Sequence, residues 1–312
     1  MREPAASVSL APANGAAALN VPRPYPARAE SDRPSQFRRG VQRFCRNRGA
    51  LAGVMVLCLF AVVALAAPLA TTYDPEQTQL DQKLLEPSAA HLLGTDHLGR
   101  DILARLAYGA RYSLLIGFAA VSVGLVIGVP LGTMCGYYGG WLDLVIQRVI
   151  DVFLSLPGFL LALSLVAVLG VGINNVILAV GLGVVPAFVR LTRASTLSVR
   201  SRAYVDAART AGARGPIIIL RHILPNALAP VVIQATLGLG ATLLTAAGLG
   251  FLGLGVQQPT PEWGAMLGEG RSYIFSNPNL ATFPGIAIFV TVLCFNLAGD
   301  GLRDALDPTL TA

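Results

Sequence analysis

An all-α membrane protein with six transmembrane helices is the fold class that this sequence predicts, and three observations lead to it. Hydrophobic residues make up 54% of the 312 residues and charged residues only 13%, whereas a soluble domain carries about 25% charged residues. The hydrophobic residues fall in long runs, most of them about long enough to cross the ~30 Å hydrocarbon core of a bilayer. The basic residues concentrate on alternate connections between these runs, as in polytopic proteins.

The N-terminal 48 residues differ from the rest of the chain. They are rich in Ala, Pro and Arg and show no apolar periodicity, so we expect 1–48 to be a disordered, basic cytoplasmic tail. The first apolar run, 51–70, is the first predicted span. With the polar, extracytoplasmic residues that follow, it makes a second unit, 49–111, and 112–308 is the predicted five-helix core.

Five further apolar runs complete the predicted bundle, at 112–137, 149–170, 174–189, 227–255 and 283–298. If the N-terminus is cytoplasmic, eighteen basic residues lie inside and five outside. Cytoplasmic connections are enriched in Lys and Arg, so both termini are predicted to be cytoplasmic. The net charge of +6 follows from this topology, and without an aromatic-plus-basic groove it does not indicate a nucleic-acid partner.

Small residues recur along the second run. Glycines at intervals of four share one helix face and allow another helix to approach closely: Gly124, Gly128, Gly132 and Gly136. This face could line a pore, contact another subunit, or pack within the chain, and the sequence leaves these readings open.

Charged and polar residues also stand near the ends of two runs. Arg148 and Asp151 are spaced for an ion pair on one helix face. The pair could line a substrate path, although structural pairing at the membrane interface is the favoured interpretation. Asn296 and Asp300 are interpreted in the same way.

The loop over 190–225 is the most distinctive part of the chain. Residues 201–211 predict a short helix, on which Asp206 can pair with Arg202 and Arg209. Gly212 is a good helix stop, and Pro216 suits the first turn of a second helix. So well-defined a loop indicates a docking element for another protein. The alternative is an amphipathic helix held on anionic lipid by its arginines.

The spacing within this loop resembles the Glu-Ala-Ala signature of permease subunits of ABC importers. An acidic residue and two alanines precede, at the family's intervals, a glycine and a Leu-Pro pair: Asp206, Ala207, Ala208, Gly212, His222, Leu224 and Pro225. Asp206 stands where the signature has Glu, and His222 where it has Ile. Segments 91–117 and 299–308 resemble the C-type permease of dipeptide, oligopeptide and nickel importers, and the resemblance covers about residues 50 to 308.

This resemblance implies a type I ABC importer permease in a bacterial cytoplasmic membrane. It also implies a homologous B-type permease, two cytoplasmic ATPase subunits that bind ATP and Mg, an extracytoplasmic solute-binding protein, and membrane lipid as partners. The loop would be the ATPase-coupling element. Its expected contact residues are Tyr204, Asp206, Ala207, Ala208, Gly212, Ala213, Arg214, His222, Leu224 and Pro225. Di- or oligopeptides are the expected cargo, with nickel or another small solute as the alternative.

Enzymatic chemistry is not expected in this chain. The single lysine, Lys83, has no phosphate-binding-loop context, so ATP must be hydrolysed by another chain and no cofactor is expected here. A self-contained secondary transporter would need ionisable residues near the bilayer midplane and related halves, and neither is evident. A membrane-embedded enzyme would need converging catalytic groups.

A cluster of titratable residues follows the first run. His91, Asp96, His97 and Asp101 are of metal-ligating type, but a turn that caps the next helix is the favoured interpretation. Thr95 or Asp96 would then be the N-cap, and no metal is expected.

Overall fold

The computed structural model describes residues 36–306, which form a bundle of long helices joined by short ones. In chain order the α-helices are α1 Gln36–Arg46, α2 Arg48–Ala70, α3 Ile102–Tyr138, α4 Gly140–Leu154, α5 Gly158–Leu169, α6 Ile173–Arg200, α7 Ala203–Thr210, α8 Gly215–Ile218, α9 Leu224–Phe251, α10 Trp263–Gly270 and α11 Asn279–Leu306. Five continuous helical segments of the described chain are long and apolar enough to span a membrane, and α4 with α5 would make a sixth. The predicted all-α, polytopic fold class is confirmed.

The expectation of disorder up to residue 48 is wrong for its last part, whereas 1–35 lie outside the described residues. Helix α1 packs against the end of α11, and a Cβ on Gly40 would lie 3.3 Å from the Ala305 carbonyl oxygen. At the junction of α1 and α2, the Asn47 side chain accepts a bond from the Ala50 N–H at 3.1 Å and donates to Asp304 at 3.3 Å. Composition did not predict this helix because its neighbour is distant in sequence.

The third predicted span, 149–170, is wrong as a single straight helix. Its residues belong to α4 and α5, which meet at an angle of 90°. Pro157 stands at the N-cap of α5, where its missing N–H and fixed φ do not interrupt the helix. Helix α4 begins earlier than predicted, at Gly140; Gly139 and Gly140 have positive φ angles of 65° and 63°.

The glycines of α3 pack within this chain. A Cβ on Gly128 would lie 2.5 Å from the Phe188 Cβ, and one on Gly132 would lie 2.5 Å from the Val189 carbonyl oxygen. Gly124 and Gly136 face α6 equally closely. These four glycines therefore allow α3 to pack closely on α6, because a larger side chain at any of them would separate the two helices.

The first spanning helix is joined to α3 through an arginine. Pro68 lies inside α2 and has no N–H, so the Ala64 carbonyl loses its helical partner. The Arg111 guanidinium donates to the carbonyl oxygens of Ala64 and of Leu65, the latter at 2.9 Å. Unpaired carbonyls are costly away from water, and Arg111 removes that cost while joining α2 to α3.

Candidate functional site

Residues 201–223, here named the interhelical segment, connect α6 to α9. Helix α6 runs on to Arg200, so the predicted loop start at residue 190 is wrong: Arg190 and Arg193 are helical. The chain then turns into α7, which ends where predicted. Gly212 has a φ of +81°, and the Ala213 N–H donates to the Ala208 carbonyl at 3.1 Å. This is the left-handed glycine stop that closes many helices.

The second short helix of the segment runs without a break into the next span. Helix α8 begins at Gly215 with Pro216 in its first turn, as predicted. Residues Ile219–Ile223 continue as a π-helix up to α9. Pro225 sits in the first turn of α9, where its missing N–H is tolerated. Helices α8 and α9 therefore form one continuous helical stretch, Gly215–Phe251.

A small apolar core fixes the interhelical segment to the ends of α6 and α9. Its members are at most 3% exposed: Val199, Val205, Ile218, Ile223 and Ala227. Tyr137, at the end of α3, packs against this core. The guanidinium carbons of Arg200 and Arg209 lie 5.8 Å and 5.7 Å from the Tyr137 ring centroid, within the range of cation–π attraction. The sequence reasoning did not include Tyr137, and the apolar spacing in 199–223 was the signal for the core.

The outer face of the interhelical segment is uncovered in this chain. Most of the residues that the sequence selected are exposed: Tyr204, Asp206, Ala207, Gly212, Arg214 and Pro225. Ala208, Ala213, His222 and Leu224 are partly buried. Asp206 accepts from Arg209 at 3.1 Å, and within the described chain no such bond joins it to Arg202. The exposed apolar side chains of Ile217 and Leu220 add to this face.

Asp151 has two arginine partners, and the predicted one, Arg148, is the more distant. The closest charged atoms of Arg148 and Asp151 are 3.8 Å apart, whereas Arg190 Nη2 of α6 lies 2.6 Å from Asp151 Oδ1. Asn296 and Asp300 are both exposed on α11. None of these side chains defines a ligand site.

The opposite end of α3 carries a buried ion network, defined here as Asp96, Arg100, Arg105 and Glu269. Arg100 Nε lies 2.6 Å from Asp96 Oδ2, and Arg100 Nη2 lies 2.9 Å from Glu269 Oε2. Arg105 Nη2 is 3.3 Å from Glu269. The two arginines are 2% and 1% exposed, and two carboxylates balance them. The network joins the polar segment 71–101 to α10, and the sequence analysis predicted none of these ion pairs.

The predicted N-cap of α3 was wrong. Asp101, and neither Thr95 nor Asp96, caps the helix: its side chain accepts from the Ala104 N–H at 2.7 Å. Asp101 is also paired with His91, whose Nδ1 lies 2.9 Å from Asp101 Oδ2. Asp96 is instead drawn into the ion network by Arg100 and Arg105.

Three possible metal ligands lie together beside this network. Ligand atoms of Asp96, His97 and Glu269 lie within 4.8 Å of one another. Both carboxylates, however, are already paired with Arg100 and Arg105. Because the guanidinium charges oppose a further cation, the charges present here do not favour a metal ion.

Helix α10 is fixed to α3 by a second buried carboxylate. Glu262 caps α10 by accepting from the N–H groups of Gly264 and Ala265 at 2.9 Å and 2.8 Å. The Ser113 hydroxyl donates to it at 3.0 Å. Burial raises the pKa of Glu262, and these three hydrogen bonds oppose the shift. The next residue, Trp263, donates from Nε1 to the Leu106 carbonyl at 2.9 Å.

The described residues thus form a helical bundle suited to a membrane, with an anchored and uncovered segment at one end. Residues 128–312 match the family of binding-protein-dependent transport system inner membrane components, and 35–87 match the N-terminal TM domain of oligopeptide transport permease C. The chain belongs to this family and is a multi-pass protein of the bacterial inner membrane.

Three curated relatives match most of the chain. It is 46% identical over 276 residues to a dipeptide transport system permease of Alkalihalophilus pseudofirmus, covering 88% of this chain and 91% of that protein. It is 47% identical over 270 residues to a glutathione transport system permease of Pectobacterium atrosepticum, covering 86% and 90%. It is 46% identical over 283 residues to a di/tripeptide transport system permease of Pseudomonas aeruginosa, covering 89% and 93%.

A solved structure has the same fold. A chain of the inward-facing MetNI methionine ABC transporter superposes with a TM-score of 0.54 at 22% sequence identity. The match covers 65% of this chain and 97% of that one. The part shared with that transporter therefore has the helical architecture of an ABC importer.

Proposed function

We propose that this chain is the permease subunit of an ATP-driven importer for di- or oligopeptides. It contributes one half of the translocation path and carries no ATPase chemistry itself. The peptide class is supported by relatives named for dipeptide, di/tripeptide and glutathione transport. We propose a cytoplasmic position for the interhelical segment, because that orientation places eighteen of 23 basic residues inside.

The observation that carries this proposal is the interhelical segment itself. Val205 and Ile223 are fully buried beneath it, so the backbone is held firmly in place. Its outer face nevertheless leaves Asp206, Ile217 and Leu220 uncovered. A surface whose backbone is already held by a buried core, and whose outer side chains are exposed, can bind a partner without a further entropic cost of ordering the backbone. We assign it to docking on the ATPase subunit.

The remaining partners follow from this assignment. A homologous B-type permease supplies the other half of the path, two ATPase subunits bind ATP and Mg, and a solute-binding protein delivers cargo on the outer side. When the ATPases close, the interhelical segment moves as a rigid body. Because α8 continues into α9 and α7 follows α6, that movement tilts both spanning helices.

The test is uptake of a labelled dipeptide by cells that lack this gene but retain the rest of the system. The wild-type chain should restore uptake. The double variant Asp206→Lys, Gly212→Pro should lower dipeptide uptake at least about 10-fold, which is within the range that typical coupling free energies produce. The lysine reverses a charge on the docking face, and proline cannot adopt the φ of +81° at residue 212.

Asp81→Lys is the matched control, since Asp81 is an exposed aspartate of the polar segment; it should transport normally at equal membrane abundance. Full uptake by the double variant would contradict the docking role. If the wild-type chain restores no dipeptide uptake, the peptide assignment fails, and nickel or another small solute becomes the cargo to test. Uptake that persists without ATP but requires an ion gradient would instead indicate a secondary transporter.

A further inference from the structure

Helix α4 has its polar side turned inward. Polar residues recur at intervals of four along it, at Asp143, Gln147 and Asp151. Its outward side carries Trp141 and Val152, which are 76% and 68% exposed, and the exposed Arg148. In a soluble protein this pattern would be reversed. In a membrane protein, charged side chains face the protein interior, so the polar side marks what α4 is held against.

That neighbour is α6, and two ion pairs make the attachment. Arg193 Nε and Nη2 each lie 2.6 Å from one carboxylate oxygen of Asp143, a two-point contact that fixes orientation as well as distance. About two turns along α4, Arg190 Nη2 lies 2.6 Å from Asp151 Oδ1. The apolar attachment is small: Ile150 is the one buried residue of α4, and it packs with Ile146 in a cluster around Val185 and Val189 of α6.

The two ends of α4 leave it free to turn if these pairs are broken. Gly139 precedes it and Gly140 is its first residue, both with positive φ, and a Cβ at either position would meet no atom within 4 Å. At its other end the chain bends by 90° into α5. Helix α4 is therefore positioned by its contacts with α3 and α6, and the last turn of α6 leads directly into the interhelical segment.

We infer that the Arg193–Asp143 and Arg190–Asp151 pairs latch α4 to α6, so that α4 and α5 follow the interhelical segment as it moves. This inference rests on the proposed function, because it gives the pairs a part in ATP-driven import. Helix α6 is itself packed on α3 through the four glycines. The two ion pairs thus extend one rigid body, α3 with α6, to a helix that would otherwise be loosely held.

The first test measures the latch itself and does not depend on the cargo. Nitroxide labels are placed at Leu144→Cys on α4 and Ala211→Cys on the interhelical segment, both exposed, after the four native cysteines are replaced. Pulsed electron paramagnetic resonance should give one narrow distance distribution for the otherwise unaltered chain. Asp143→Ala should broaden it, and the exchange Asp143→Arg with Arg193→Asp should restore it. An unchanged distribution in Asp143→Ala would overturn the latch, whatever the transporter carries.

The second test measures the role of the two ion pairs in transport, using the assembled transporter in proteoliposomes. Asp143→Ala should lower dipeptide uptake per ATP hydrolysed about 10-fold, and the charge exchange should recover most of it. Asp151→Asn should have a smaller effect, because that pair is about half exposed and screened by water. A purely structural role would lower uptake and hydrolysis in proportion, and that outcome would overturn the inference. Absence of uptake by the wild-type complex would count against the peptide assignment alone.

Discussion

The regions at the two ends of α3 differ in whether their charged side chains are paired within the chain or exposed. The helix of 37 residues is about 55 Å long at 1.5 Å per residue. At its beginning, Arg100, Arg105 and Glu269 are buried and paired within the chain. At its end, the interhelical segment is anchored by an apolar core but exposes its charged and apolar outer face. The charges of the first region are paired within this chain, whereas the outer face of the second is left uncovered by it.

This difference shows where the chain's charges contribute to stability and where they serve contact. A buried ion pair that loses one partner leaves an uncompensated charge in a medium that solvates it poorly. An exposed pair such as Arg209–Asp206 is screened by water and contributes little. Mutations at the two ends should therefore separate stability from transport.

The largest expected effect is at the buried ion network. Glu269→Ala leaves Arg100 and Arg105 with one carboxylate between them, and should lower the free energy of unfolding by about 3–5 kcal/mol. Thermal unfolding of the purified chain in detergent measures this loss. Glu86→Ala is the control, because Glu86 is an exposed glutamate of the polar segment 71–101, outside the ion network. Equal melting temperatures for the two variants would show that the network does not stabilise the fold.

The next largest loss of unfolding free energy is expected where α3 packs on α6, between the two regions. Gly128→Ala places a Cβ 2.5 Å from the Phe188 Cβ, and the helices must separate to accept it. Overpacking of this kind costs about 1–3 kcal/mol. On α6, a Cβ at Gly183 would meet only the Gly158 carbonyl, at 3.9 Å, so Gly183→Ala should be almost neutral. The same unfolding assay compares them, and a neutral Gly128→Ala would mean that the contact of α3 with α6 is looser than described.

The smallest effect on stability is expected at the interhelical segment. The Asp206 side chain is 64% exposed, so Asp206→Ala should change the unfolding free energy by less than about 0.5 kcal/mol. Uptake should nevertheless fall if the docking assignment is correct. Unfolding and uptake are measured on the same variant. A large loss of stability would remove the contrast between the two ends of α3.

Local patterns in the sequence were sufficient to predict the long helices and the helix stop at Gly212, because apolar runs and helix caps depend on neighbouring residues. They did not predict the break between α4 and α5, nor helix α1. The break lies at Pro157, but a proline does not by itself set a bend of 90°. For α1 the deciding contact lies far along the chain, since Gly40 packs on Ala305. The N-cap of α3 was misassigned for the same reason, since Glu269 helps to hold the arginines that engage Asp96.

By itself, then, the sequence determined the class of protein, its membrane-spanning character and the position of the interhelical segment. Each depends on composition, on periodicity or on a motif of fixed spacing. The tertiary structure decided which charges are buried and which glycines are in contact. It also decided what holds α4. Most of these contacts join residues that are distant in sequence, as Arg193 is from Asp143 by 50 positions and Arg190 from Asp151 by 39, and such pairs become neighbours only when the helices pack.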